Sequence, residues 1–412
     1  MVNKPDILIF MSDQHNAAVM GNAGDTVIRT PNLDRLAADG TAFDAAYTAC
    51  PLCVPARIAF LTSYKTSRTC TFTNSNAISG EQATFLHSLG AEGYETVLCG
   101  RMHFKGNDQR HGFTKRIMGD FTPQYWGNRD SFMQALGGIG ETIAGGYLDV
   151  VGKGYNFVLD YDDHVKKAAL DYLEEDHDKP QCIVIGTYGP HCTYCAPEEL
   201  FDYYRDLVPP PVTLEHELNY THPVIEKRKQ VADPEQVRNV RAAYYGMVEY
   251  LDRQVGQVRE AWGRYVGRRG SEGIFVYTSD HGDQIGERDL YTKTTLYEGS
   301  CRIPLIWEGS NIRSGCRSVT PANITDIGPT LCGMAGAVAP PRHDGMNLLP
   351  VLLDGNESPD RAVFSETYRL DVDRPGCMVR KGPWKMITYH GMEEYDLLFN
   401  LDEDPHELCN IL

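Results

Sequence analysis

The chain has 412 residues, of which 42% are hydrophobic and 23% are charged, as in ordinary globular proteins. Because a single hydrophobic core usually stops growing at roughly 250–300 residues, we expect one large domain with a smaller one appended. The formal net charge of -17 argues against nucleic acids and anionic lipid surfaces as partners, since both would be repelled at long range.

The first apolar segment, Ile7 to Phe10, is too short for the hydrophobic region of a secretory signal. No stretch of the sequence approaches the roughly 20 apolar residues that a membrane span needs. We therefore expect a soluble, cytoplasmic protein without a membrane partner, and the sequence leaves a homo-oligomer open. In that compartment the 12 cysteines should be mostly reduced, buried thiols rather than a disulfide framework.

Short apolar segments alternate with amphipathic segments through most of the chain. Segments that are apolar throughout predict buried strands, and helical spacing of apolar residues predicts the helices between them. This alternation indicates an α/β fold in which a large, mostly parallel sheet is sandwiched by helices. The predicted strands are Ile7 to Met11, Thr96 to Cys99, Cys182 to Thr187 and Gly273 to Ser279, and the predicted helices are Asn32 to Gly40, Thr84 to Gly93, Asp163 to Glu175 and Val237 to Glu260.

Polar residues follow four predicted strands near the point where each strand ends: Asp13, His103, His191 and Asp280. In open parallel sheets, ligands bind beyond the carboxyl ends of the strands. Acidic and imidazole groups at four such ends therefore predict a functional site at this edge of the sheet.

The chain changes character in two places. The prolines at 209–211 and the polar residues up to Asp233 predict a long surface excursion, and alternating apolar and polar residues after about residue 355 predict a small antiparallel sheet. We accordingly expect a catalytic α/β domain over residues 1–355 and a small C-terminal subdomain over residues 356–412. The strands predicted in the subdomain are Ala362 to Ser365, Met378 to Arg380, Trp384 to Tyr389 and Glu394 to Asn400.

The sharpest local motif is Cys53-Val54-Pro55-Ala56-Arg57, at the head of a helix predicted over Ala56 to Leu61. Cys-x-Pro-x-Arg is the pattern read by enzymes that oxidise a cysteine to formylglycine, so a formylglycine-generating enzyme is an expected partner. A hydrated aldehyde offers one hydroxyl to attack sulfur and a second that expels sulfate by collapse to the aldehyde. Arg57, one turn along, is expected to hold the hydrate.

The cysteines leave an alternative of a different class open. Cys50 and Cys53 form one Cys-x-x-Cys pair, and Cys192 and Cys195 form another. Two such pairs can be the half-sites of a structural zinc, and a single pair can be a redox motif. A zinc-binding module is therefore a second hypothesis.

Two strand ends carry candidate metal ligands, Asp13 with Gln14 and Asp280 with His281. Oxygen-rich ligands suit a hard divalent cation such as Ca²⁺ or Mg²⁺. A strand-end aspartate before a glycine is also a common turn former, so neither pair is specific alone.

The order of these motifs resembles that of the formylglycine-dependent sulfatase family, within the alkaline phosphatase superfamily, and most closely its choline-sulfatase-like branch. The resemblance runs from about residue 6 to the last residue. It is specific because several short motifs of polar residues occur in the same order as in the family. They are Asp13-Gln14, Cys53-x-Pro-x-Arg57, Gly100-Arg101-Met102-His103, Tyr161-Asp162-Asp163, Pro190-His191, Asp280-His281-Gly282, Lys293 and Tyr395-Asp396-Leu397.

The resemblance implies hydrolysis of a sulfate ester with one divalent cation, Ca²⁺ ahead of Mg²⁺. His103 would contact the hydrate, and His191 and Lys293 would hold the sulfate and support departure of the alcohol, with His191 as proton donor. The implied metal ligands are Asp13, Gln14, Cys53, Asp280 and His281, the implied catalytic residues are Cys53, Arg57, His103, His191 and Lys293, and the implied sulfate-binding residues are Asn74 and Arg101.

The alcohol is predicted less sharply than the reaction. Choline sulfatases need an aromatic cage for a quaternary ammonium, for which Tyr125 and Trp126 are the candidates. Arg101 stands where the family usually has lysine, and Cys192 departs from its His-x-Pro pattern, so we expect a reshaped pocket. Choline, aryl and carbohydrate sulfates all remain candidates, and the nearest enzymatic rival on this fold is a phosphonate monoester or phosphodiester hydrolase.

Overall fold

An eight-stranded sheet forms the centre of the fold in the computed structural model, which describes residues 4–120, 148, 150–369 and 374–412. Numbered along the chain, the strands are β1 Asp6–Asp13, β2 Thr41–Phe43, β3 Ala46–Tyr47, β4 Glu95–Gly100, β5 Lys115–Met118, β6 Val151–Lys153, β7 Gln181–Pro190, β8 Tyr194–Ala196, β9 Gly273–Ser279, β10 Leu305–Gly309, β11 Cys316–Ser318, β12 Ala322–Asn323, β13 Ala362–Arg369, β14 Arg374–Lys381, β15 Trp384–Tyr389 and β16 Leu397–Asn400.

The strand order of the central sheet is β11-β2-β10-β9-β1-β7-β4-β5. The run from β9 to β5 is parallel, whereas β10 is antiparallel to both of its neighbours. Every residue of β1 and β7 is buried, because helices cover both faces, and this is why these strands are apolar without alternation. The predicted mostly parallel sheet is confirmed.

Twelve helices are assigned in the described part of the chain. They are α1 Pro31–Asp39, α2 Cys53–Thr62, α3 Thr66–Thr69, α4 Phe85–Ala91, α5 Phe157–Glu174, α6 Glu198–Arg205, α7 Val212–Glu215, α8 Pro223–Glu226, α9 Pro234–Arg269, α10 Glu298–Cys301, α11 Ile327–Ala335 and α12 Leu349–Asp354. Single 3₁₀ turns occur at Gly21–Ala23, Glu287–Asp289, Ile324–Asp326 and Glu393–Tyr395.

Three helices begin a full three residues or more before their predicted starts, for identifiable reasons. Helix α2 starts at Cys53 rather than Ala56, because a proline in the first turn lacks only an N–H that needs no partner there. Helix α5 starts at Phe157, where the Asn156 side chain accepts from the Leu159 amide. Helix α9 starts after its cap Asp233 and continues to Arg269, where Gly270 takes a left-handed conformation.

Two hydrophobic cores lie on opposite faces of the central sheet. One packs α1, α5 and α9 against the sheet and includes Leu36, Val165 and Val248. The other packs α2, α4 and α11 and includes Phe60 and Phe85. No described helix is long and apolar enough to cross a bilayer.

The end of the chain forms the predicted antiparallel sheet, with strand order β13-β14-β15-β16. The segment 394–396 is not part of its last strand, because residues 393–395 make a 3₁₀ turn. The sheet shares a core with earlier residues, since Met378 and Phe399 pack in one cluster with Tyr47 and Cys301. The boundary at residues 355 and 356 stays a prediction.

Candidate active site

Four side chains that can hold a metal meet at the carboxyl end of the sheet. Asp13 ends β1, Asp280 and His281 directly follow the neighbouring β9, and Cys53 is the first residue of α2. One ligand atom from each residue lies within 4.8 Å of those of the other three, and all four residues are buried. The structure thus brings together four of the five predicted metal ligands.

The two carboxylates divide their oxygens between arginines and the interior of the site. Oδ2 of Asp13 accepts from Arg101 Nε at 2.7 Å and from Arg57 Nη2 at 3.1 Å. Oδ2 of Asp280 accepts from Arg57 Nε at 2.9 Å. Oδ1 of Asp13 instead lies 3.7 Å from both Cys53 Sγ and His281 Nε2. One arginine therefore fixes both carboxylates and leaves an oxygen of Asp13 directed at the other ligands.

The charge state of these groups suits metal binding. Burial alone would raise the pKa of Asp13, but the charge of Arg101 and of other nearby cations holds it well below its usual range. Burial lowers the pKa of His281 to about 4, so its ring is neutral, as a ligand must be. His281 Nδ1 lies 3.1 Å from the Gly282 carbonyl, which leaves the Nε2 lone pair for a cation. Two carboxylates, an imidazole and the group at position 53 fit one divalent cation.

Gln14, the fifth predicted ligand, is oriented by two charged residues. Its Nε2 donates to Asp283 Oδ2 at 2.6 Å, and its Oε1 accepts from Lys293 Nζ at 2.7 Å. Asp283 also accepts from the Tyr194 hydroxyl at 2.9 Å. Because Asp283 Oδ2 accepts from the amide nitrogen, the amide oxygen of Gln14 faces Lys293 and the site.

Lys293 joins position 53 to His191. Its Nζ lies 3.2 Å from Cys53 Sγ and 2.5 Å from His191 Nε2. His191 Nδ1 lies 2.5 Å from the Cys192 carbonyl, to which only a protonated nitrogen can donate. Burial and then the charge of Lys293 lower the pKa of His191 well below its usual range. In this pair Lys293 therefore donates and His191 Nε2 accepts, and the role of His191 in protonating the departing alcohol stays a prediction.

Arg101 and His103 form a second group beside Asp13. Arg101 Nη2 lies 2.8 Å from His103 Nδ1, and the Arg101 guanidinium carbon lies 4.3 Å from the centre of the Tyr188 ring. Asp120 accepts from Arg101 Nη1 at 3.4 Å and from the His103 amide at 2.9 Å. The planar guanidinium is thus held on several sides, which a lysine could not reproduce.

Cys53 itself is a protonated thiol in the unmodified chain. Burial and then the charge of Asp13 raise its pKa to about 12. Since the thiolate is the nucleophilic form of cysteine, the unmodified side chain offers little nucleophile at neutral pH.

Of the remaining predicted site residues, Asn74 is the one that the structure describes. Asn74 accepts from the Val54 amide at 3.0 Å, which places it beside the start of α2. Tyr125 and Trp126 lie outside the described residues. Among the residues that the structure describes, the group that can hold a metal includes Cys53 but none of the other three cysteines of the two pairs, so the zinc hypothesis gains no support there.

Sequence reasoning missed several carboxylates that support the site. Asp120 holds Arg101, Asp162 accepts from the Tyr188 and Gly189 amides, and Asp283 orients Gln14. The available signals were their positions in or near the recognised motifs, Tyr161-Asp162-Asp163 and the end of β9. Their contacts, however, join distant parts of the chain.

Comparison with known proteins decides the family. A family model for sulfatases matches residues 5–337. The chain belongs to the sulfatase family. A second model, for the C-terminal part of N-sulphoglucosamine sulphohydrolase, matches residues 286–412. The predictions of this family and of an enzyme of the sulfatase class are confirmed.

Similar sulfatases are known from bacteria. The choline-sulfatase of Rhizobium meliloti is 32% identical, with 99% of this chain and 82% of that protein covered. The arylsulfatase of Clostridium perfringens is 27% identical, with 99% and 90% covered.

Solved structures confirm the fold. The phosphonate monoester hydrolase of Agrobacterium radiobacter superposes with a TM-score of 0.81 at 20% identity, covering 99% of this sulfatase and 91% of that chain. A protein solved with its substrate D-glucosamine-2-N,6-O-disulfate gives a TM-score of 0.80 at 22% identity, covering 99% and 93%.

Proposed function

We propose that this sulfatase hydrolyses a sulfate ester to an alcohol and inorganic sulfate, using formylglycine made from Cys53 as nucleophile beside one divalent cation. The observation that carries the proposal is the convergence of Asp13, Cys53, Asp280 and His281 with ligand atoms within 4.8 Å of one another. Ca²⁺ is our first choice for the cation and Mg²⁺ the second, because carboxylate oxygens are hard ligands. A formylglycine-generating enzyme is the proposed partner in maturation.

Two groups would be added to the chain before it acts. Hydrated formylglycine supplies one hydroxyl for attack at sulfur and a second whose collapse to the aldehyde releases sulfate. A cation held by Asp13, Asp280 and His281, with Gln14 as a further oxygen ligand, supplies positive charge against the sulfuryl oxygens.

The residues of the chain prepare the site before the substrate enters. Arg57 holds Asp13 and Asp280 at 3.1 and 2.9 Å, which fixes the ligand oxygens. Arg101 and Lys293 add positive charge, and both are buried. Charges held in place in a water-excluding site stabilise a transition state more than mobile charges in water do.

Departure of the alcohol is the step that needs a proton. Lys293 carries it: burial alone would lower the pKa of Lys293, but the charges of nearby carboxylates, Asp13 and Asp280, raise it. His191 Nε2, 2.5 Å from Lys293 Nζ, accepts from that ammonium. The pair can therefore deliver a proton to the departing oxygen directly from Lys293 or by way of His191.

The substrate class we propose is a small-molecule or saccharide sulfate ester, with choline sulfate tested first because the relative at 32% identity is a choline-sulfatase. The assay compares kcat/KM for choline sulfate, an aryl sulfate, a glucosamine sulfate, an aryl phosphate and an aryl phosphonate monoester. We expect a sulfate ester to be the best substrate. A phosphonate or phosphate ester turned over faster than every sulfate would overturn the proposal.

A peptide mass tests the nucleophile independently of turnover. Trypsin releases residues 36–57, which contain both Cys50 and Cys53. Conversion of one thiol to an aldehyde lowers the mass by about 18 Da. Fragmentation should place the loss on Cys53 and leave Cys50, the internal control, unchanged. An active enzyme with both cysteines intact would remove formylglycine from the mechanism.

A further inference from the structure

Asp162 is a buried carboxylate that the proposed reaction does not use directly. It lies on α5 and faces the end of β7. Its Oδ1 accepts from the Tyr188 amide at 2.6 Å, and its Oδ2 accepts from the Gly189 amide at 2.7 Å. Each oxygen thus holds one of two consecutive amides, directly before Pro190 and His191.

The clamped backbone carries His191. The His191 amide donates to the Tyr188 carbonyl at 3.1 Å, and the rings of Tyr188 and His191 lie 4.8 Å apart. His191 Nε2 lies 2.5 Å from Lys293 Nζ. A shift of the backbone at residues 188–189 would therefore move the imidazole relative to Lys293.

The fit between Asp162 and this backbone is tight. A Cβ atom added at Gly189 would lie 2.9 Å from Asp162 Oδ2, so the carboxylate packs against the glycine without room for a side chain. Burial raises the pKa of Asp162 to about 7, although the two amide hydrogen bonds and the charge of Arg101 oppose the rise. Burying an ionised carboxylate costs free energy even when backbone amides donate to it. Buried groups with strongly shifted pKa values concentrate at functional sites.

The preceding residue on α5 supports the other half of the site. The Tyr161 hydroxyl donates to the Gly119 carbonyl at 2.8 Å, next to Asp120, which holds Arg101 and the His103 amide. The same turn of α5 therefore contacts the segment that carries His191 and the segment whose Asp120 accepts from the His103 amide.

We propose that Asp162 is a positioning residue that sets the place of His191 for departure of the alcohol. The proposal rests on the proposed sulfate ester hydrolysis, in which His191 and Lys293 deliver the proton. Two amide donors need two acceptor oxygens, which only a carboxylate provides in this geometry. An asparagine has one acceptor and would bring its own N–H group against a backbone N–H.

The test is Asp162→Asn, measured on two sulfate esters with different leaving groups. For an alkyl sulfate, whose alkoxide needs a proton to leave, we expect kcat to fall about 10–100-fold, the usual cost of losing such a supporting contact. For 4-nitrophenyl sulfate, whose leaving group is stable as an anion, the loss should be several times smaller. KM should change by less than about threefold, since sulfate binding is retained.

Two further variants separate positioning from folding. Gly189→Ala disturbs the same hydrogen bonds from the backbone side, because its Cβ atom would press against Asp162 Oδ2. This variant replaces Asp162→Asn in the test if Asp162→Asn does not fold. Asp163→Asn is the matched control, because Asp163 is the next residue on α5, is partly exposed and bonds Tyr155 and Tyr250. Its rates on both esters should stay within about twofold of the wild type, as for a surface change.

A double variant tests whether Asp162 acts through His191. If it does, Asp162→Asn with His191→Ala should be no slower than His191→Ala alone. The positioning role would be overturned if the rate losses of the two single variants multiplied in the double variant. It would also be overturned if Asp162→Asn slowed both esters equally or left both rates at the wild-type value, in an enzyme that still hydrolyses sulfates. A wild-type enzyme that hydrolyses none of the sulfate esters in the substrate comparison above would instead overturn the proposed function, and this role with it.

Discussion

Replacing Arg57 by methionine should destabilise the metal-free protein far more than removing a surface arginine. Arg57 is 1% exposed and bonds Asp280 at 2.9 Å and Asp13 at 3.1 Å. Arg101 still pairs with Asp13 at 2.7 Å, so Asp280 is the carboxylate left without a cation. Because an uncompensated buried charge costs about 3–5 kcal/mol, we expect the free energy of unfolding to fall by that amount.

Urea unfolding of the metal-free protein, followed by circular dichroism, measures this loss. Arg35→Met is the matched control, since Arg35 also pairs with an aspartate, Asp39, at 2.7 Å but is 71% exposed. An exposed pair is worth about 1 kcal/mol or less, so this control should barely shift the urea midpoint. Saturating Ca²⁺ should narrow the gap between Arg57→Met and the wild type, because the cation compensates Asp280. A loss no larger than that of the control, or one indifferent to Ca²⁺, would refute the reasoning.

The remaining predictions concern the reaction and the cation. Cys53→Ala should abolish turnover and leave the urea midpoint near that of the wild type, because Cys53 is small and ends no salt bridge; full activity at matched protein concentration would assign the nucleophile elsewhere. Lys293→Ala should slow esters of poor leaving groups most, seen as a steeper dependence of kcat/KM on the pKa of the alcohol, and a uniform loss would mean that Lys293 only binds sulfate. Asp283→Asn should weaken Ca²⁺ binding about 10–100-fold, since Gln14 loses the acceptor that turns its oxygen inward. Isothermal titration calorimetry measures that affinity, and an unchanged value would remove Gln14 from the ligand set.

The strands of the central sheet could be predicted because a strand that is buried on both faces is a continuous run of apolar residues in the sequence. β1, β7 and β9 are apolar for almost their whole length, and each was found within a few residues of its predicted range. Helix starts were harder, because caps decide them. Asn156 begins α5 well before its predicted start, and Pro55 lies inside the first turn of α2 rather than before it.

The candidate site, like the fold, could be predicted only in part from the sequence. Residues that end strands or sit in short motifs, such as Asp13, Cys53 and Asp280, could be picked from the sequence. The contacts that orient them could not, because they join residues far apart along the chain and leave no periodic pattern. Gln14 and Asp283 are 269 positions apart, and their hydrogen bond decides which atom of the amide faces the site.

The contacts of Arg57, Arg101 and Lys293 explain why these three positively charged side chains have different roles in the site. Arg57 and Arg101 bond Asp13, Asp280 and Asp120, so most of their positive charge is neutralised before a substrate arrives. Lys293 differs, because the groups it contacts, Gln14 Oε1, His191 Nε2 and the Cys53 thiol, carry no formal charge. A chain of net charge -17 repels an anionic ester at long range, so attraction must arise locally. The arginines therefore serve chiefly to hold carboxylate oxygens in place, while Lys293 and the proposed cation would supply the charge that a sulfuryl group meets, in a buried site where salt screens it little.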